Sequence, residues 1–373
     1  MLYWNNVIEG EKMDNSYIPK LLRAALSNDR KNIEAIGLYI GRKIKKEDPQ
    51  TSAEIMKILS CVNGGTDVYR SIDLSHIPVD QETRYQLVNL QEPLYCEEPI
   101  LCDSVKNQLT EFLKERRLID VFLNEGITPP NSLLLYGAPG VGKTYIAKWL
   151  SYMLNMPLIT VDLANSISSY LGRSGQNIKS IFEYARSQNI ILFLDEIDAI
   201  AKRRDDASDL GELKRLVNVL LKELEDFPAT CVVIAATNHP ELLDKAIWRR
   251  FDRNIEVFLP ELAERKALVL RELGERTSSI SDAVIDLLCD GTSGISAADM
   301  CKLCMHIKRR IILNPNISVE YNIFKEYCEL VSLKTKDDKI AACKEIRKSG
   351  ATLKQISEIT GIPLSTVGRY LKE

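Results

Sequence analysis

The sequence predicts an α/β protein, a three-layer α/β/α sandwich around a parallel five-stranded sheet with helical segments on either side. Two observations carry this prediction. From Ser132 onward, short apolar runs alternate five times with helix-period segments, the pattern of a parallel sheet covered on both faces. The first run passes into its helix through the glycine-rich turn Gly137-Ala138-Pro139-Gly140-Val141-Gly142-Lys143-Thr144. Strands are expected at 133–136, 158–162, 190–194, 232–236 and 254–258. Right-handed crossovers wind such a chain so that ligands meet the carboxyl ends of the strands.

Composition sets the bounds. A chain of 373 residues is long enough for a full core and carries a prior of two or three domains. Hydrophobic content of 45% and charged content of 27% fit a soluble globular protein. A net charge of −3 predicts no bulk attraction to nucleic acid or membrane, so any such binding must be local. Nine cysteines without dense spacing argue for a reducing cytoplasm. Cys301 and Cys304 have the spacing of half a metal site, with His306 nearby. They fall on a helical pattern with Leu303 and Ile307 and lack a second cysteine pair, so they read as packing thiols. The first residues lack the basic and apolar regions of a signal peptide, and no apolar run is long enough to cross a membrane.

In chain order, residues 1–63 read as a helical bundle without catalytic side chains, an adaptor or assembly domain. Residues 64–97, with Gly64, Gly65, Pro78 and Pro93, read as a linker. The α/β core occupies 98–260, a further helical segment 261–332, and a separate module 333–373.

The turn after the first strand fits G-x-x-x-x-G-K-[ST], the phosphate-binding loop. A loop with little side-chain bulk can wrap a polyphosphate with its N–H groups, and the following helix aims its positive end at the same anion. Lys143 adds a point charge, and the Thr144 hydroxyl can ligate Mg²⁺. The candidate nucleotide-binding set is Gly137, Pro139, Gly140, Val141, Gly142, Lys143, Thr144, Tyr145 and Asp195. The third strand ends Ile-Leu-Phe-Leu-Asp195-Glu196. Two acids at the edge of a core are costly unless paired, and Mg²⁺ held by Asp195 and Thr144 resolves this. Glu196 is then placed to polarise an attacking water, and Asn238, ending the fourth strand, to hold that water or touch the γ-phosphate. Arg249 and Arg250 follow. Phosphoryl transfer needs positive charge on the γ-phosphate, and an arginine supplied in trans is one solution.

Taken together, GAPGVGKT, FLDEID, ATN and LDKAIWRRFD resemble the AAA+ ATPases, within them the classical AAA family, over about residues 98–312. The resemblance implies ATP and Mg²⁺ as cofactors, Glu196 as catalytic base and Asn238 as the sensor residue. It also implies a helical lid at 261–332, and Arg249 or Arg250 as a finger reaching the next subunit of a homo-oligomeric, usually hexameric, ring. Tyr170, Leu171 and Gly172 resemble the family's pore loop, with Arg173 where Glu is common. The run ATNHPELLDKAIWRRFD and the helical start look most like a bacterial stand-alone group, often encoded beside a subtilisin-like protease. The leading expectation is remodelling or translocation of a protein client. A DNA-associated ATPase and a switch controlling a partner enzyme are the alternatives.

From Lys334 to Glu373 there are nine basic and five acidic residues, a local excess of positive charge. Thr352 and Gln355 resemble a capping box, Gly361 marks a turn, and Ile356, Ile362, Val367 and Tyr370 take the buried positions of a helix-turn-helix. On that reading Thr366 and Arg369 face the major groove and Lys354 and Lys372 lie near phosphates. A three-helix protein-docking module is the competing reading.

Overall fold

The computed structural model describes residues 88–163, 174–188, 190–199 and 210–373, with residues 40, 51 and 78 singly. The chain divides into Met1–Ser75 and His76–Glu373. The expected N-terminal bundle and the pore-loop residues Tyr170, Leu171 and Gly172 lie outside the described residues.

In chain order the elements are β1 (Asn89–Gln91), α1 (Asp103–Arg117), α2 (Ile119–Asn124), β2 (Ser132–Tyr136), α3 (Lys143–Leu154), β3 (Leu158–Asp162) and α4 (Ser174–Ser187). There follow β4 (Ile191–Asp195), α5 (Leu210–Glu225), β5 (Val232–Thr237), α6 (Lys245–Trp248) and β6 (Arg253–Glu256). The remaining helices are α7 (Leu262–Leu273), α8 (Asp282–Gly291), α9 (Ala297–Leu313), α10 (Val319–Val331), α11 (Lys336–Lys348), α12 (Leu353–Thr360) and α13 (Leu364–Tyr370).

The sheet runs β1-β3-β4-β5-β2-β6. Five strands are parallel, and β1 pairs antiparallel with β3, Leu90 opposite Ile159. The expected five-stranded parallel sheet is therefore corrected to six strands of mixed direction. The additional strand lies in the stretch read as a linker. Asn-Leu-Gln is three residues long and mostly polar, so it has no alternation to detect. It forms because β3 would otherwise present an unpaired edge of N–H and C=O groups.

Both faces of the sheet are buried. Leu133, Leu135, Ile191, Phe193, Val232 and Ile234 share a core with Leu109, Phe112, Ile146 and Leu150 of α1 and α3. The alternate residues Leu134, Leu192, Leu194 and Ala235 point to the opposite face and are equally buried. Period-2 geometry with apolar residues at every position demands this double cover. Each fully buried Leu, Ile or Phe contributes roughly 1.5–3 kcal/mol relative to exposure.

The helices from α7 to α13 share a second core that includes Leu268, Leu288, Met300, Phe324, Ile346, Ile356, Val367 and Tyr370. Helix α10 packs on α8 so closely that a Cβ on Gly291 would sit 2.5 Å from the Tyr327 ring. The C-terminal three helices thus pack into the same core as the segment before them. Thr335 and Thr352 each open a helix with a complete capping box, and Gly361 closes α12 with φ of 69°.

Candidate functional site

The site forms where β2, β4 and β5 end side by side. Strand β5 lies between the other two, with Tyr136 opposite Thr237 and Leu194 opposite Ala235. Residues 51 positions apart in sequence are thereby brought together. The Thr144 hydroxyl donates to Asp195 Oδ2 at 3.3 Å.

The phosphate loop is held open by close backbone packing. A side chain at Gly137, with φ of 143°, would put its Cβ 2.2 Å from the Val257 carbonyl oxygen. At Gly140 (φ 78°) a Cβ would meet Ser296 Oγ at 2.5 Å, and the Gly140 carbonyl accepts from Ala298 N–H at 2.9 Å. The loop is thus joined to the start of α9. Gly142 is the N-cap of α3, leaving the helix's first N–H groups directed at the loop's concavity.

Lys143 is buried and donates to three acceptors: Gly137 O at 2.7 Å, Ala138 O at 2.9 Å and Asn238 Oδ1 at 2.7 Å. Burial lowers the pKa of its ammonium below the usual lysine range, and the Asp195 and Asp198 carboxylates oppose that shift. Lys143 and Asn238, 95 residues apart, are in direct contact. Glu196 is exposed and has φ of 51°, one of three non-glycine residues with positive φ among those described. Its N–H donates to Asp195 Oδ1 at 3.0 Å. Such strain in a non-glycine residue persists only where the surroundings enforce it. Here the enforcing bonds are Ile197 N–H to Ala236 O at 3.0 Å and Ala199 N–H to Glu196 O at 2.8 Å.

Thr144 and Asp195 present hard oxygens side by side at the mouth of the loop. That donor set fits Mg²⁺ carried on a nucleotide.

Beside the loop is a cavity of about 270 Å³ walled by Ile100, Leu101, Val141, Tyr145, Leu268 and Cys301 among others. The Tyr145 hydroxyl donates to Glu97 O at 3.0 Å, and burial pushes its pKa up to about 12. Ile100, Leu101 and Leu268 belong to no sequence motif. They are ordinary apolar residues that only folding gathers, so nothing local could have marked them. Cys301 is partly buried, and Cys304 is fully buried with its thiol pushed up to about 12 by desolvation. Both are protonated packing groups.

Arg249 and Arg250 are exposed at the end of α6. Arg250 pairs with Glu225 at 3.0 Å. The neighbouring Asp252 does something the motif did not reveal. Its Oδ2 accepts from Asn131 N–H, Ser132 N–H and Ser132 Oγ at 2.8, 3.1 and 2.8 Å, fixing the strand that feeds the loop. Arg253 clamps β6 to α1 through Glu111 and Glu115.

Lys354 and Arg369 on the last two helices and Lys372 just beyond them are exposed, and Thr366 is partly so. They form no part of the site at the strand ends.

Residues 133–259 match the family described as ATPase family associated with various cellular activities (AAA). An uncharacterised AAA family ATPase, y4kL of Sinorhizobium fredii, is 43% identical over 155 residues, 42% of this chain and 47% of the relative. A cell division cycle protein 48 homolog of Archaeoglobus fulgidus is 35% identical over 261 residues, 67% of this chain and 34% of the relative. The proteasome-activating nucleotidase of Methanothermobacter thermautotrophicus is 38% identical over 193 residues, 50% of this chain and 47% of the relative. The chain thus spans between about a third and a half of the length of these relatives. The crystal structure of the FIGL-1 AAA domain shares the fold, with a TM-score of 0.55 at 20% identity, covering 76% of this chain and 99% of that one. Over residues 133–259, which hold the assembled phosphate loop, the chain is thus similar to the AAA family of ATPases.

Proposed function

We propose that this chain hydrolyses ATP within a homo-oligomeric, hexameric ring and uses the cycle to remodel or translocate a protein client. The observation that carries the reading is the convergence of Lys143, Asn238, Thr144 and Asp195 at the ends of three adjacent strands. Lys143 exchanges the two loop carbonyls for phosphate oxygens, keeping charge on the β/γ-phosphates. Thr144 and Asp195 would hold Mg²⁺, which when bound supplies neutralising charge for the leaving phosphate. Glu196 accepts a proton from the attacking water, and Asn238 orients that water. Arg249 and Arg250, both exposed at the end of α6, are suited to completing a neighbour's site.

Tyr170, Leu171 and Gly172 are assigned to gripping the client in the pore. The similarity to proteasome-activating nucleotidases supports a protein client, and a subtilisin-like protease is a partner compatible with that work. The exposed positive residues Lys354 of α12, Arg369 of α13 and Lys372 just beyond it favour a second reading, in which the terminal helices dock the ring on DNA. The cytoplasm is the proposed location.

One experiment separates these readings. Glu196→Gln is expected to bind ATP and to lose turnover by at least about a hundredfold, the size of a general-base contribution. Held in the ATP state, it should capture the client. Stimulation of wild-type turnover by an unfolded protein supports remodelling. Stimulation by duplex DNA, with affinity falling steeply as salt rises, supports the DNA reading. Stimulation by neither leaves a nucleotide-driven switch, and undiminished turnover of Glu196→Gln removes it as the base.

A further inference from the structure

Asp198 lies three residues beyond Asp195, is 2% exposed, and belongs to no part of the phosphate chemistry described above. A buried carboxylate costs several kcal/mol unless it is used. Its Oδ1 accepts a hydrogen bond from Thr237 Oγ1 at 3.0 Å. Thr237 is itself 1% exposed and ends β5. The same hydroxyl accepts from the His239 N–H, also at 3.0 Å.

The direction of this chain is fixed by chemistry. A backbone N–H can only donate, so the Thr237 oxygen is the acceptor from His239. Its single proton is then committed to Asp198, which as a carboxylate can only accept. The relay runs His239 N–H to Thr237 O–H to Asp198. The residue between its two anchors, held on both sides, is Asn238. The Asn238 amide oxygen meets the Lys143 ammonium at 2.7 Å. One residue earlier in each segment, Ile197 N–H, in the turn after β4, bonds to Ala236 O of β5 at 3.0 Å. The tails of β4 and β5 are therefore stapled together twice beyond the last ladder pair, Leu194 opposite Ala235.

We infer that Asp198 and Thr237 are positioning residues that lock Asn238 in register with Asp195 and Glu196, so that the sensing amide and the catalytic carboxylate move as one unit. The inference rests on the ATPase reading above. A charged acceptor suits the task better than a neutral one, because hydrogen bonds to an ionised group are the stronger ones. The arrangement thus keeps the loop's cation and its amide partner facing each other before nucleotide arrives.

The test uses the full chain and four variants, with a fluorescent ATP analogue for affinity, ATP for turnover, and amide hydrogen exchange across 236–240. Thr237→Val keeps the shape and removes the relay. It is expected to hold the analogue with wild-type Kd, to lose about tenfold or more in kcat, within the ~10²-fold that a 1 Å misplacement costs, and to exchange faster at Asn238 and His239. Thr237→Ser restores the hydroxyl and should rescue both turnover and protection. Asp198→Ala should behave as Thr237→Val does, and Asp198→Asn, which retains an acceptor oxygen, should lie between it and wild type. Wild-type kcat in Thr237→Val, or a Thr237→Ser variant as impaired as Thr237→Val, overturns the proposal. A wild-type chain that hydrolyses no ATP, yet loses amide protection on Thr237→Val, rejects the ATPase reading and leaves the relay standing.

Discussion

Lys143 shows how one side chain holds the site ready. Its three N–H groups are satisfied by two loop carbonyls and by Asn238, so its burial is compensated without ligand. Phosphate oxygens can replace the carbonyls with little reorganisation, which is the economy of a preorganised electrostatic site. Lys143→Ala leaves those carbonyls without a donor and the phosphates without their point charge. It is expected to abolish binding of a fluorescent ATP analogue in equilibrium titration. Affinity equal to wild type would remove Lys143 from the site. Glu196 makes the complementary point. Its left-handed backbone is not written in FLDEID; it follows from the bonds that tie residues 195–199 to each other and to β5.

At the scale of elements, the strand–loop–helix unit from Ser132 to Leu154 could be read in advance because its information is local. The apolar run, the glycines and the helix period are contiguous. What anchors the unit is not local. The Asp252 carboxylate, 120 residues downstream, accepts three hydrogen bonds at the start of β2. The run LDKAIWRRFD drew attention to its arginines, while its last acid does structural work that depends on β6 pairing beside β2. Asp252→Ala takes the carboxylate acceptor from the Ser132 N–H, in a residue 7% exposed, and leaves the Ser132 hydroxyl only the Arg250 carbonyl at 3.5 Å. A loss of about 1–3 kcal/mol is expected, measured by urea unfolding as a lowered midpoint at unchanged slope. An unchanged midpoint would show that water replaces the carboxylate at no cost.

At the scale of the whole molecule, the helices α11–α13 were expected as a separate module. Their apolar residues instead join the core of α7–α10. Helical periodicity reports that a face is buried but not against what, so the partner of that face was invisible in the sequence. Helix α13 thus shares a core with α9, whose Ala298 N–H bonds the Gly140 carbonyl of the phosphate loop at 2.9 Å. The exposure of Arg249 and Arg250 leads to an assembly-scale prediction. Arg249→Ala and Arg250→Ala should each leave ATP binding intact, and at least one should cut hydrolysis by roughly 10³ or more. Mixing that inactive variant with Lys143→Ala should restore activity, because the Lys143→Ala subunit still lends its arginines to the intact neighbouring site. Mixed assemblies as inactive as their parents would rule out action in trans.

The sequence by itself determined the phosphate loop, the acids Asp195 and Glu196, the alternation that makes a sheet covered on both faces, and the capping box and turn glycine of α12. Each depends on residues within a few positions of one another, where backbone geometry converts spacing directly into shape. Only the tertiary structure decided the contact of Lys143 with Asn238, the antiparallel edge strand at Asn89–Gln91, the apolar cavity wall, and the Asp198–Thr237 relay. Those features join segments tens of residues apart. Their chemistry is that of ordinary Leu, Asn, Thr and Asp, and it becomes specific only when strand order brings the partners within hydrogen-bonding distance.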